Sequence, residues 1–121
     1  MIKRLLLFFL ILICSLFAVD AIVLPCVTEN IKKEGKEIYN RDCYACHRWN
    51  RDFAGPAMSE NIKKYVTQKE DLVRYLVHPT PKQPDKYPPM TLDPLSKKDA
   101  QVISAWLFYL LENPKDPERP R

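Results

Sequence analysis

Glycine is nearly missing from this chain: Gly35 and Gly55 are the only two in 121 residues, beside eleven prolines. Its turns are therefore set by a residue that restricts the backbone and lacks an N–H, seldom by one that frees it. Histidine is as sparse, with only His47 and His78, so two imidazoles must serve every task that needs one. An excess of one charge is also absent. The formal net charge is +4, and loss of residues 1–21 would take Lys3, Arg4 and Asp20 and leave +3. Neither value builds the field that nucleic acid or an anionic membrane surface would attract, so neither partner is expected. The length allows one domain with a modest core.

There is one long apolar run, Leu5 to Ala18, and it stops short of the roughly 18–20 residues that cross a bilayer comfortably. With Lys3 and Arg4 before it and the small residues Ala18 and Ala21 at its end, residues 1–21 read as a secretory signal peptide. An uncleaved inner-membrane anchor is the alternative. Cys14 makes a poor lipidation site because bulky Ile13 precedes it. Export to the periplasm gives the remaining cysteines their meaning, since an oxidising compartment disfavours both free dithiols and zinc thiolates.

The stretch Asp42-Cys43-Tyr44-Ala45-Cys46-His47 carries the chemistry. Two thiols three positions apart, with an imidazole directly after the second, can engage one planar cofactor: the thiols add to the vinyl groups of a haem while the imidazole takes the iron from one face. The pattern predicts one haem c per chain, bonded to Cys43 and Cys46, with His47 as an axial ligand. Zinc on the same residues would need Cys26 as a fourth ligand, and a thioredoxin-like dithiol lacks the surrounding βαβ pattern. Cys26 itself reads as an unpaired, partly buried thiol.

Residues 22–112 form the expected domain. Thr28 caps a first helix whose apolar stripe is Ile31, Gly35, Ile38 and Tyr39. Glycine inside a helix costs about 1 kcal/mol against alanine, which predicts close approach of another element at Gly35. Trp49 and Phe53 follow the motif as aromatics for a haem edge. At Gly55-Pro56 the glycine permits an unusual backbone angle, and Pro56 offers a free carbonyl to take the second ring proton of His47. A short helix is expected from Ser59 to Val66, then a capping box at Thr67 and Glu70 opening a helix that Pro79 ends. Six prolines in the sixteen residues Pro79–Pro94 deny that stretch any regular period. Pro88 and Pro89 stiffen the backbone before Met90, the chosen second axial ligand, whose soft thioether favours reduced iron. His78 is the competing ligand, at a helix end where it also suits the dipole. Ser96 and Asp99 open a last helix in which Trp106 is large enough to fill the notch at Gly35. Residues 113–121 read as a flexible, proline-rich tail.

On these residues the chain resembles the class I monohaem cytochromes c over most of residues 30–112. Gly35 to Tyr39 with Cys43 to His47 looks like the family's first helix and haem motif, Gly55-Pro56-Ala57 like its Gly-Pro turn, and Ala105-Trp106-Leu107 like its terminal helix. Met90 after the proline pair looks like its methionine loop. The resemblance implies a small all-α fold in which the first and last helices cross around the haem, with one haem edge exposed to redox partners. Met58, where the family often has leucine, is read as haem packing.

The expected function is a periplasmic one-electron carrier and not an enzyme, because two protein ligands close both faces of the iron. Two alternatives stay open: a haem subunit of a larger oxidoreductase, such as a sulfur-compound-oxidising complex, and a haem enzyme or gas sensor with a labile sixth ligand. Lys32, Lys33, Lys36, Arg48, Arg51, Lys63, Lys64, Lys82 and Lys86 are candidates for a basic ring steering an acidic redox protein, or for solvated helix faces.

Overall fold

The computed structural model describes residues 21–90 and 93–121; the expected signal segment up to Asp20, with Cys14, lies outside them. Helix α1 (Glu29–Ile38) starts at an extended Thr28, whose hydroxyl accepts the Ile31 N–H at 3.3 Å. It runs into a π-helical turn, Tyr39–Cys43, closed by the Tyr44 N–H donating to the Tyr39 carbonyl at 2.9 Å. Helices α2 (Met58–Lys63), α3 (Lys69–Val77) and α4 (Lys97–Glu112) follow. The described residues are all-helical, as the sequence predicts, and none of their helices is long and apolar enough to cross a membrane.

The architecture turns on the crossing of α1 with α4, and α3 also packs on α4. At the crossing, a Cβ built on Gly35 would stand 2.6 Å from Trp106 Cβ and 2.8 Å from its Cγ, so only a residue without a side chain lets the helices meet. Trp106 is fully buried, and the Tyr39 ring meets its indole edge-on at 6.0 Å between centroids. Ile38, Ile103, Leu107 and Leu110 continue this core. Ser96 caps α4 by accepting the Asp99 N–H at 3.0 Å.

Two local expectations change. No capping box forms at Thr67 and Glu70: a turn through Lys64–Thr67 leaves Gln68 as the residue flanking α3, without a side-chain cap, and Thr67 falls one position too early. The chain before α1 is tied down, with Ile22 and Leu24 on the core and the Gln101 amide donating to the Val23 carbonyl at 2.8 Å. Cys26 is unpaired there, and exposed instead of partly buried.

The tail makes hydrogen bonds and ion pairs with α1 and α4. Asp116 accepts the Tyr109 hydroxyl at 2.8 Å and the Glu118 N–H at 2.8 Å, with Lys32 Nζ 3.8 Å away, and Glu118 reaches Lys36 at 3.2 Å. Charges that look solvated in the sequence meet their complements on α1. The Glu118 N–H foremost, then Tyr109 and Lys32, hold the Asp116 carboxyl below its ordinary range. The anchor's contribution is thus complete above the unfolded carboxylate pKa near 4 and is lost as pH falls through the lower folded value. Asp116→Ala is expected to cost about 1 kcal/mol and to speed amide exchange across residues 113–121; unchanged exchange there would refute the anchor.

Candidate functional site

The π turn delivers the motif. It carries Cys43 inward, 7% exposed, while Cys46 stays exposed, and the Cys46 and His47 N–H groups both donate to the Cys43 carbonyl, at 3.2 and 2.9 Å. Burial, aided by the charge of Asp42, pushes the Cys43 thiol up to about 12, so it is protonated at neutral pH. From the core side the Tyr39 hydroxyl donates to the His47 carbonyl at 3.0 Å. Burial pushes that phenol up to about 12 as well, which keeps it a donor across the neutral range. This tie was not read from the sequence, where Tyr39 counts only as one member of the apolar stripe.

The imidazole is held on its other side by the Gly55-Pro56 turn. Nδ1 of His47 lies 3.0 Å from the Pro56 carbonyl oxygen, an arrangement that protonates Nδ1 and leaves the Nε2 lone pair for a ligand. A Cβ on Gly55 would sit 2.6 Å from His47 Cε1 and 2.9 Å from Nδ1. No described glycine has a positive φ, so Gly55 serves by what it lacks, not through an unusual backbone angle. The Gly55 N–H donates to the Cys46 carbonyl at 2.9 Å, and Phe53 donates to the Gly55 carbonyl at 2.9 Å, stitching loop to motif.

These groups border a cavity of about 650 Å³, within the range of pockets that enclose a small-molecule cofactor. Cys43, Cys46, His47, Pro56, Met58 and Met90 all line it, and Leu72, Leu76, Ile103 and Leu107 supply apolar walls from α3 and α4. Among the described residues no three His, Cys, Asp or Glu side chains converge tightly enough to chelate a bare metal ion. The thiols and the imidazole are instead spread around a space, which fits a planar cofactor bonded at its edge and ligated through its centre.

Other sequence candidates fall elsewhere. His78 is exposed at the end of α3 and does not border the cavity. Trp49 is 2% exposed within the core cluster that includes Met58, and it too is absent from the cavity wall. Trp106 stands behind the wall, acting through Gly35 and Tyr39. Phe53 is half exposed and covers the Arg48 guanidinium at 4.5 Å, with Tyr44 on that guanidinium at 4.2 Å. Of the expected basic ring, Lys64 and Lys82 reach the cavity rim, whereas Lys32 and Lys36 face the tail's acids. Asp52 has no period or motif to mark it in the sequence; its carboxylate accepts hydrogen bonds from two loops that border the cavity, through the Ala57 N–H and the Tyr87 hydroxyl.

A family model described as cytochrome c matches residues 32–110. The fold is similar to a solved structure, cytochrome c from Rhodothermus marinus, at a TM-score of 0.61 and 22% identity, covering 82% of this chain and 93% of that one. No curated protein matches the chain. With the match spanning most of the chain, and Cys43, Cys46 and His47 fitting the attachment motif for covalent haem c, this protein belongs to the cytochrome c family.

Proposed function

We propose that this protein is a periplasmic one-electron carrier in which Cys43 and Cys46 hold the haem and His47 and Met90 are its axial ligands. What supports Met90 is that it lines the same cavity as His47, while His78 lies outside that cavity. When bound, the haem supplies an Fe(III)/Fe(II) couple. The chain's own residues set its conditions. The Pro56 carbonyl takes the Nδ1 proton of His47, fixing the ring and strengthening Nε2 as a donor. Met90 offers a soft thioether that favours the reduced metal. Leu72, Leu76, Ile103 and Leu107 keep water from the interior, and a protein ligand on each face leaves no position for substrate.

Export is supported by the basic start, apolar run and small-residue end of residues 1–21. The partners proposed are redox proteins, with Lys64 and Lys82 at the rim favouring an acidic docking face. The reduced protein in alkaline pyridine is expected to give the spectrum of a haem bonded through two thioethers. The ferric protein should show the weak long-wavelength sulfur-to-iron band, and Met90→Ala should abolish it. A parent protein without that band, whose ferrous form binds carbon monoxide readily at neutral pH, would replace the carrier reading with the gas-binding one.

A further inference from the structure

The Asp52 carboxylate faces two loops at once. Oδ1 accepts the Ala57 N–H at 3.0 Å, in the turn that presents the Pro56 carbonyl to His47. Oδ2 accepts the Tyr87 hydroxyl at 2.7 Å and lies 3.3 Å from Lys86 Nζ, both in the segment that leads to Met90. The Ala57 N–H first, then Tyr87 and Lys86, hold the Asp52 carboxyl below its ordinary range, so it is charged at neutral pH. Tyr87 also lines the cavity, and its N–H closes a turn on the Gln83 carbonyl at 3.0 Å.

Between Tyr87 and Met90 stand only Pro88 and Pro89. Each proline fixes its own φ and restricts the residue before it, so little torsional freedom separates the phenol from the thioether. The segment has no regular structure to hold it otherwise; a further tie is Lys82 over the Tyr75 ring at 5.1 Å. An isolated exposed Lys86–Asp52 pair would contribute little. A carboxylate shared by a backbone N–H of one loop and a phenol of the other joins two loops that border the cavity.

We infer that Asp52 is a positioning residue for Met90: through Tyr87 it latches the methionine-bearing segment to the loop that supports His47, and so holds the thioether in the cavity. This rests on Met90 being the second axial ligand. The latch is tested on the ferric holoprotein by titrating with imidazole and following loss of the sulfur-to-iron band. Asp52→Ala and Tyr87→Phe should each let imidazole displace Met90 at about one-third of the parent's concentration, the scale of one solvent-exposed hydrogen bond. Tyr87→Phe leaves the Ala57 contact untouched and so serves if Asp52→Ala folds poorly. Variants that keep the band and titrate within about twofold of the parent, even with a lowered thermal midpoint, would reduce Asp52 to a surface contact and overturn the inference alone. A parent that shows no sulfur band would overturn the axial assignment, and the latch with it.

Discussion

Truncating Trp106 to alanine is expected to remove about 3–5 kcal/mol of folding stability, a large part of the ~5–15 kcal/mol that a domain possesses. The indole is fully buried at the helix crossing, with its Cβ and Cγ against Gly35 and its ring against Tyr39. Gly35→Ala attacks the same contact from the other side. The new methyl would meet the root of the Trp106 side chain, 2.6 Å from its Cβ, and a root cannot rotate away, so the helices must part. Overpacking of this kind costs about 1–3 kcal/mol, offset by about 1 kcal/mol of improved helix propensity. In the double variant the alanine at 106 keeps its Cβ, so the 2.6 Å contact persists and only the contacts with Cγ and the ring are relieved; the two costs should fall short of additivity by at least about 0.5 kcal/mol. Denaturant titration of the holoproteins measures the cycle; additive costs would show that the indole beyond its Cβ does not press on the added methyl.

Gly55→Ala should have the second large effect, and at the site itself. Its Cβ would stand 2.6 Å from His47 Cε1. Either the ring turns or the loop backs away, and both break the 3.0 Å contact between Nδ1 and the Pro56 carbonyl. Loss of such an outer partner weakens a ligand's hold on its metal by about 10- to 100-fold. The expected result is a lower fraction of chains carrying covalent haem, with high-spin ferric species in the remainder. A variant that loads fully and keeps the parent's low-spin spectrum would show that the turn can absorb a methyl group.

Both predictions concern glycines, and they differ in how much could be read beforehand. Gly35 lies inside a strong helical period, where its cost implies a close neighbour and Trp106 is the residue large enough to need the space. In the sequence Gly55 reads as a turn glycine needing a special angle; only the position of the imidazole shows that the requirement is steric. The two aromatic candidates for a haem edge divide in a similar way. Trp49 and Phe53 are four residues apart in one polar loop, yet one is buried in the core and the other lies over Arg48.

By itself the sequence determined the all-helical fold, the family, the haem-attachment motif and the caps at Thr28 and Ser96, because these depend on periodicity and on chemistry between near neighbours. Tertiary structure alone decided the π turn that carries Cys43 inward, the Tyr39 bond to the His47 carbonyl, the bridge from Asp52 to Tyr87 and the seating of Asp116 beside Lys32. The long-range pairs join polar residues far apart in the chain, where no period or spacing marks either partner. The π turn adds a backbone register shift that hydrophobic patterning does not record. Such contacts exist only once the helices have crossed and brought the loops together, so their physical cause lies in the packed chain and not in any local stretch of it.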